Sequence, residues 1–280
     1  MSSISPEVQA KEAALKTALR EAEQLVVAFS GGVDSSYLAV MAHRVLREKA
    51  LAVTAISPSY PQAHREMAER IVAEFGIAHR FVVTREMSSS SYRANGPDRC
   101  YHCKSELFER LGEIAAGDSD VPIAYGINTD DTSDFRPGHR AAQERAVRAP
   151  LLDAGLSKTE IRDLSREAGL PTADLPSSAC LSSRLPYGTE VTIKRLNDVE
   201  EGEARLRQLG FQQVRLRHHG ERAGIEIDPT ELARALEPEV TRAIEEAIRP
   251  LGFREVWIDP KGYRTGSLNE VLFAKGPAEG

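Results

Sequence analysis

The feature that most constrains the fold is a glycine- and serine-rich loop between an apolar run and a helical pattern. The run LVVAF at 25–29 precedes SGGVDSS, and apolar residues at helical spacing then continue to Leu46. Such a loop directs backbone N–H groups and a helix N-terminus at one point, where they attract phosphate. The glycines allow close approach, and Asp34 could hold Mg²⁺ beside the phosphates. The pattern predicts a phosphate site formed by Ser30, Gly31, Gly32, Asp34 and Ser35.

Apolar runs alternate with helical patterns through the first 170 residues. The runs are 25–29, 51–56, 79–83 and 121–127, and the helical patterns between them include 63–75 and 105–114. This alternation predicts an α/β fold with a doubly wound parallel sheet. Ligands of such sheets bind at the carboxyl ends of the strands. Residues that follow these ends are therefore predicted to contact the nucleotide or its magnesium, namely Ser57, Asn128, Asp130 and Asp131.

A second pattern follows the irregular stretch PTADLPSSACLSSRLP at 171–186. Its predicted order is helix, strand, strand, helix and strand over 193–209, 213–218, 224–228, 238–251 and 254–259. A further strand near Glu190 would give a βαββαβ order, which is a smaller ferredoxin-like α+β domain. We therefore predict a first domain over 1–176, a cysteine-bearing linker over 177–188 and a C-terminal domain over 189–280.

Composition and charge narrow the class of partner and the compartment. The net charge is −6, so no overall positive field would hold a large polyanion, and nucleic acid is disfavoured as a substrate. No apolar run approaches the roughly 20 residues of a membrane span. The polar start MSSISPEVQAKEAALK lacks the apolar stretch of a signal peptide. The expected location is the cytoplasm, without membrane association.

The loop differs from the phosphate loop of GxxxxGK[ST] proteins, because Gly-Lys-Ser/Thr occurs nowhere in the chain. The form SGGxDS resembles the N-type ATP pyrophosphatases, which include NAD, GMP and asparagine synthetases and several tRNA thiolases. That resemblance implies an enzyme that cleaves ATP between the α- and β-phosphates. An acceptor is adenylylated with release of pyrophosphate, and a nucleophile then displaces AMP.

Three further stretches are similar to LarE, the sulfur transferase family of nickel-pincer nucleotide biosynthesis. They are RCYHCK at 99–104, the segment 125–162 and SSACLSSRLPYG at 177–188. The resemblance implies that the substrate is pyridinium-3,5-biscarboxylic acid mononucleotide, whose carboxylates become thiocarboxylates for the cofactor of lactate racemase. It also implies a homo-oligomer such as a hexamer built of trimers.

Three cysteines, Cys100, Cys103 and Cys180, are an odd number that argues against a disulfide framework. In LarE, the cysteine matching Cys180 can be sacrificial: it attacks the adenylate, gives up its sulfur and becomes dehydroalanine. Cys100 and Cys103 form a CxxC pair, and with Cys180 they could supply three ligands to a 4Fe-4S cluster whose open iron carries sulfide. The number of cysteine ligands favours the cluster over the sacrificial route. A redox pair, a partial zinc site and structural cysteines remain alternatives.

Charged side chains could hold the substrate. In QVRLRHH the side chains alternate, so two arginines share one face of the strand, and the pattern RxRxHG with a later IE occurs in LarE. The predicted ligands of the substrate phosphate or carboxylates are Arg136, Arg184, Arg215 and Arg217. Glu203 and Glu226 are predicted as a second metal site near Cys180. Surface ion pairs are the alternative for these residues.

Other functions remain open from sequence alone. A tRNA thiolase can combine the SGGxDS loop with a three-cysteine cluster, although the acidic balance argues against it. An ATP-binding regulator would keep the loop without turnover. An amide-forming ligase would leave the cysteines without a purpose. The source of sulfide is not predicted by any motif.

Overall fold

The computed structural model describes residues 4–117, 121–133, 137–176, 179–264 and 266. These residues divide into two compact units. The first unit consists of the described residues of 1–89 and 98–178, and the second of residues 90–97 with those from 179 onward. The segment 90–97 thus belongs to the second unit although it interrupts the first along the chain, and no shift in composition marks it.

The first unit is built on a parallel sheet with the strands β1 (Leu25–Ala28), β2 (Ala50–Ile56), β3 (His79–Val83) and β4 (Ile123–Tyr125). Their order is β3-β2-β1-β4, and Val26 of β1 lies beside Leu51 of β2 and Ile123 of β4. The order reverses between β1 and β4, and a crevice at the carboxyl edge is expected at such a point. The predicted doubly wound parallel sheet is confirmed.

The helices are α1 (Pro6–Glu21), α2 (Val33–Leu46), α3 (Gln62–Phe75), α4 (Ser90–Arg93), α5 (Arg99–Ala115), α6 (Pro137–Gln143), α7 (Pro150–Asp153), α8 (Lys158–Glu167), α9 (Ile193–Gln208), α10 (Leu232–Ala235) and α11 (Pro238–Ile248). No helix in the described part of the chain combines the length and apolar character needed to cross a bilayer. Alternating residues of β1 give the sheet two buried faces: Leu25 and Val27 pack with α1, α2 and α8, whereas Val26 packs with α5 and α6.

Helix α5 begins at Arg99, six residues before the start at Ser105 that apolar spacing predicts. Its first turns, RCYHCK, lack the periodic apolar residues on which that prediction depends. The start is stabilised locally, because the His102 Nε2 atom lies 3.2 Å from the Asp98 carboxylate one turn earlier. Cys100 and Cys103 therefore belong to a helix rather than to a loop.

The second unit has a three-stranded sheet with the strands β5 (Val214–His219), β6 (Arg222–Ile227) and β7 (Glu255–Ile258). Strands β5 and β6 are antiparallel, and β6 and β7 are parallel. Helix α9 contacts β5 and α11, and its apolar side is buried through Leu196 and Leu206. A smaller α+β unit is confirmed.

The strand predicted near Glu190 is wrong. Its neighbours direct their backbone donors elsewhere: Gly188 N–H donates to the Asn95 carbonyl at 3.0 Å, and Val191 N–H donates to the Arg93 carbonyl at 2.8 Å. Because these groups pair with residues 90–97, they are not available to a sheet. The order in the described second unit is therefore αββααβ after residue 192, with the short α10 before α11 and without the first strand of the predicted βαββαβ pattern.

Candidate active site

The phosphate loop joins β1 to α2 at the edge of the sheet where the strand order reverses. Gly31 has a φ of +72°, a left-handed conformation that favours glycine. A Cβ atom at Gly31 would lie 2.6 Å from the carbonyl oxygen of His64 in α3, so a side chain has no room. Gly32 has a φ of −82° that any residue can adopt. Gly31 is therefore the glycine of the pair that the geometry requires.

Two serine hydroxyls fold this loop back on itself. The Ser35 Oγ atom accepts from the Ser30 N–H at 3.1 Å, lies 2.9 Å from the Ser30 Oγ and donates to the Gly32 carbonyl at 3.2 Å. These contacts hold the loop at the N-terminus of α2. The first N–H groups of a helix have no partner within the helix, so a phosphate at this point can accept their hydrogen bonds.

Asp34 in the first turn of α2 has one engaged and one unengaged carboxylate oxygen. Its Oδ2 atom lies 2.5 Å from the Nζ atom of Lys158, whereas its Oδ1 atom is buried without a hydrogen-bond partner. Mg²⁺ beside nucleotide phosphates is commonly held by one or two carboxylates. A buried carboxylate oxygen at a phosphate loop therefore fits a magnesium ligand.

Lys158 was not predicted as a site residue, although the sequence contains a signal for its position. It is the first residue of α8, whose N-cap Ser157 forms a reciprocal capping box with Glu160. The pattern SKTE therefore predicts a helix start, but not which group the lysine faces. The structure directs its ammonium to Asp34, 124 positions earlier in the chain.

Gly126, just after β4, also lies against the phosphate loop. A Cβ atom there would come within 2.7 Å of the backbone nitrogen of Ser35, so the absence of a side chain lets β4 approach the start of α2. Gly126 is not among the site residues that the sequence patterns predict. A glycine in a strand pattern often marks close approach of another backbone, and that signal could have identified it.

The residues that follow β4 form a turn with hydrogen bonds both within itself and to the start of α8. Asp130 N–H donates to the Asn128 side-chain oxygen at 2.9 Å, and Asn128 N–H donates to the Asp131 carboxylate at 3.2 Å. Lys158 N–H donates to the Asp130 carboxylate at 3.0 Å. The structure thus brings the predicted Asn128 and Asp131 to the edge of the sheet beside α8, where their contact with a nucleotide stays a prediction.

Ser57 follows β2 at the same edge. Its Oγ atom lies 3.0 Å from the Ser59 Oγ, and the Tyr60 hydroxyl donates to the Ser30 carbonyl at 3.1 Å. The segment after β2 is therefore attached to the phosphate loop, as expected for parallel strands whose carboxyl ends meet.

The CxxC pair occupies the start of α5. Residues three apart share one face of a helix, so the thiols of Cys100 and Cys103 are presented side by side. The Arg99 guanidinium donates to the Cys100 Sγ atom at 3.8 Å. Cys100 is exposed and Cys103 is half-buried, and neither forms a disulfide bond.

Cys180, in the second unit, immediately precedes a helical turn, Leu181–Arg184. The buried Arg184 donates to Glu203 at 2.7 and 3.1 Å, and its third nitrogen donates to the carbonyls of Ala179 at 2.7 Å and Cys180 at 3.1 Å. Burial lowers the pKa of the Arg184 guanidinium, but the Glu203 carboxylate outweighs this effect and raises it above its ordinary value. Arg184 thus fixes the position of the backbone at Cys180.

A second buried pair supports the same turn. Arg217 donates to Glu226 at 2.9 and 2.8 Å, and to the carbonyl of Ser183 at 2.7 Å. Bidentate contacts of this kind are the strong form of arginine–carboxylate recognition. Arg184 and Arg217 thus bind carboxylates and backbone oxygens of their own unit, and their predicted contact with the substrate stays a prediction.

Arg215 differs from these two arginines. It lies opposite Glu226 in the strand register, yet its guanidinium donates to the hydroxyl of Tyr263 at 3.0 Å and stacks 4.4 Å from that ring. Among the described residues it forms no ion pair with a carboxylate. Burial and the positive charge of Arg184 lower the pKa of Arg215, as expected for a cation that lacks a compensating anion.

The predicted metal ligands Glu203 and Glu226 are thus engaged by arginines. Within the described ranges, no group of three histidine, cysteine, aspartate or glutamate side chains could hold a metal ion. The remaining predicted substrate ligand, Arg136, lies outside the described residues.

Comparison with known proteins gives a family model that matches part of the chain and relatives that match nearly all of it. The family model of asparagine synthase matches residues 9–93, which include the phosphate loop. The uncharacterised protein slr1717 of Synechocystis is 41% identical over 252 residues, covering 90% of this chain and 94% of the relative. The uncharacterised protein MJ0830 of Methanocaldococcus jannaschii is 26% identical over 254 residues, covering 90% and 96%.

A relative with a stated activity is similar over nearly the whole length. Pyridinium-3,5-bisthiocarboxylic acid mononucleotide synthase of Lactiplantibacillus plantarum is 34% identical over 263 residues, covering 94% of this chain and 95% of the relative. The similarity therefore spans the phosphate loop, the CxxC segment, the turn at Cys180 and the second unit.

Proposed function

The chain belongs to the LarE family of ATP-using sulfur transferases, and from this we propose that it converts the carboxylates of pyridinium-3,5-biscarboxylic acid mononucleotide to thiocarboxylates. The observation that carries the proposal is the phosphate loop, whose buried Asp34 oxygen lacks a partner, combined with similarity to the synthase along 94% of this chain. The product is proposed to serve the nickel-pincer cofactor of lactate racemase, and the enzyme is proposed to be a homo-oligomer.

The first half-reaction uses the phosphate loop. A carboxylate oxygen of the substrate attacks the α-phosphorus of ATP, the bond from that phosphorus to the bridging oxygen breaks, and pyrophosphate leaves with the electron pair. The loop N–H groups and the hydroxyls of Ser30 and Ser35 bind the phosphate oxygens. Asp34 would hold Mg²⁺, which neutralises phosphate charge when bound. The Lys158 ammonium is placed so that it can leave the Asp34 carboxylate and bind a phosphate oxygen of ATP instead.

The second half-reaction replaces AMP with sulfur. A sulfur nucleophile attacks the acyl carbon, the carbon–oxygen bond to AMP breaks, and AMP leaves. Cys100, Cys103 and Cys180 are proposed as ligands of a 4Fe-4S cluster, with the first two supplied by α5 and the third by the turn that Arg184 holds. The two thiols on one helix face are the ligand type that such a centre uses. When bound, the cluster supplies sulfide to the adenylate.

The sacrificial route is the alternative that the same residues allow. The Cys180 Sγ atom would attack the acyl carbon and form a thioester as AMP leaves. Loss of the Cys180 α-proton and cleavage of its Cβ–S bond would then give dehydroalanine and the thiocarboxylate. The hydrogen bonds of Arg184 to the carbonyls of Ala179 and Cys180 would orient the cysteine in either route.

Anaerobic preparation should distinguish the two sulfur sources. The cluster route predicts brown protein with about four irons per chain, the content of one 4Fe-4S centre, and an unchanged Cys180 mass after turnover. The measurements are iron and sulfide analysis together with peptide mass spectrometry. Iron-free protein that still forms thiocarboxylate, with Cys180 lighter by the mass of hydrogen sulfide, would contradict the cluster and support sacrifice.

The function itself predicts release of AMP and pyrophosphate that depends on the dicarboxylate nucleotide. With Mg-ATP alone, release should be near background, because no carboxylate is present to attack the α-phosphorus. Chromatography of the nucleotides measures AMP, and mass spectrometry measures the thiocarboxylate. Absence of AMP release with the dicarboxylate nucleotide would overturn the proposal, and release that depends instead on bulk tRNA would indicate a tRNA thiolase.

Arg215 offers a specific variant for this assay. Since its guanidinium lacks a carboxylate partner among the described residues, Arg215→Met should raise the KM for the dicarboxylate nucleotide by about 10- to 100-fold, the range for a charge-assisted contact. The KM for ATP should not change. Arg222→Met is the matched control, because Arg222 is an exposed arginine that pairs with Glu255 and stacks on Trp257.

A further inference from the structure

Glu86 is a buried carboxylate that the proposed chemistry leaves unused. It lies in the turn after β3 and is 3% exposed. The Ser59 hydroxyl donates to its Oε1 atom at 3.3 Å, whereas its Oε2 atom is buried without a hydrogen-bond partner. Among the described residues, no lysine, arginine or histidine forms an ion pair with it. Burying a carboxylate oxygen without a hydrogen bond costs free energy, so a donor from outside the chain is expected at this position.

Glu86 lies at the same edge of the sheet as the phosphate loop. Among the described residues, the buried carboxylate oxygens without a partner belong to Asp34 and Glu86, and both residues lie at the carboxyl edge of the same sheet. Asp34 follows β1 and Glu86 follows β3, with β2 between them. Two strand spacings amount to about 10 Å, which is the reach of the base, rather than of the ribose, from phosphates held at β1.

The segment between these two carboxylates is attached to the phosphate loop. Tyr60 donates to the Ser30 carbonyl at 3.1 Å, and the Ser59 hydroxyl lies 3.0 Å from that of Ser57. The side chains identified here between the loop and Glu86 are therefore neutral hydroxyls. Such a surface suits a nucleoside better than a phosphate, which a buried carboxylate would repel.

We propose that Glu86, oriented by Ser59, accepts a hydrogen bond from the 6-amino group of the adenine of ATP. The inference rests on the proposed binding of ATP at the phosphate loop. The exocyclic amine is the N–H donor of the adenine base, whereas guanine and hypoxanthine present an oxygen at the same position. The Glu86 carboxylate would therefore select ATP over GTP and ITP by attraction of the amine and repulsion of the oxygen.

Binding of nucleotide analogues tests this role without any acceptor substrate. The wild-type protein should bind Mg-ATP about 10- to 100-fold more tightly than purine riboside triphosphate, which lacks only the 6-amino group, because one charge-assisted hydrogen bond is lost. Glu86→Met should bind the two equally, and Glu86→Gln should fall between them. Dissociation constants from equilibrium competition measure the effect, with Glu74→Met on the exposed side of α3 as the control.

Thermal unfolding separates ligand recognition from a structural role. Because Glu86→Met removes an unsatisfied buried charge, its melting temperature should equal or exceed that of the wild type. A lower melting temperature with equal weakening of both nucleotides would overturn the inference, as would wild-type protein that does not distinguish the two. If the selectivity tracks the ribose hydroxyls instead, the assignment is also overturned. Failure of the wild type to bind ATP at all would instead refute the proposed function.

Discussion

Replacing Cys180 with alanine is expected to abolish thiocarboxylate formation while adenylylation and its release of pyrophosphate continue. The loss should be about 10³-fold or more, because the variant removes the sulfur atom of the sacrificial route and the third thiolate of the cluster route. Adenylylation should persist because its residues belong to the phosphate loop of the first unit. Mass spectrometry of the nucleotide product and an assay of released pyrophosphate measure the two half-reactions separately.

Two matched variants make the Cys180 result informative about mechanism. Cys100→Ala and Cys103→Ala should be as defective as Cys180→Ala if the three thiols hold a cluster, and close to wild type if Cys180 gives up its own sulfur. The fold should survive Cys180→Ala, because Arg184 holds the backbone carbonyls of Ala179 and Cys180 rather than the thiol. Thiocarboxylate formed by Cys180→Ala at the wild-type rate would contradict both routes.

The sheet and its phosphate loop could be predicted because local patterns specify them. Each strand is a short apolar run, and the loop follows the run that becomes β1, the strand beside which the order reverses. The start of α5 was missed because RCYHCK has no apolar periodicity. The strand near Glu190 was wrong because its backbone donors pair with residues 93–95, which come from a distant part of the sequence.

The site was predictable in its residue types but not in their partners. The alternation in QVRLRHH indicates which arginines share a face, yet it cannot say that Arg217 binds Glu226 or that Arg215 stacks on Tyr263. Lys158, Gly126 and Glu86 share this limitation, because each acquires its role from a contact with a residue far away in the sequence. Long-range contacts of this kind follow from the folded topology, which single-sequence patterns do not determine.

The buried arginine–glutamate pairs of the second unit determine which residues are suitable for substitution. Two bidentate pairs hold the turn that follows Cys180, and breaking either by removing one partner would leave an unpaired buried charge, a change that commonly costs about 3–5 kcal/mol. In variants of Arg184, Glu203, Arg217 or Glu226, a loss of activity could therefore not be separated from a loss of stability. Arg215 and Cys180 can be tested more directly, since neither is part of a pair of this kind among the described residues.

Removing the charge of Asp34 or Lys158 is expected to slow adenylylation strongly. Asp34→Asn should lower the rate of AMP release by about 10²- to 10³-fold, because the carboxylate would hold Mg²⁺ against phosphates that gain charge in the transition state. Lys158→Met should lower it by about 10²-fold through loss of a cation at the same phosphates. The measurement is the rate of AMP release at saturating Mg-ATP and dicarboxylate nucleotide, with a magnesium titration for each variant.

The Lys158–Asp34 pair has a matched control on the same helix. Lys11 and Glu160 form a pair of 2.7 Å whose side chains are 26% and 18% exposed, close to the 27% and 16% of Lys158 and Asp34. Partly exposed pairs contribute about 1 kcal/mol or less to stability, so both disruptions should be tolerated by the fold. Lys11→Met should leave AMP release unchanged. Equal effects of Lys11→Met and Lys158→Met would show that Lys158 has only a structural role.

The double variant tests whether the two charges act together. If Lys158 moves from Asp34 to a phosphate when Mg-ATP binds, both side chains contribute to one charge-stabilising arrangement. Asp34→Asn with Lys158→Met should then be no slower than the worse single variant, as is typical of residues that act as a unit. Independent contributions would instead multiply the two rate losses. Such a product would contradict exchange between the carboxylate and the phosphate, and would leave each residue with a separate role at the loop.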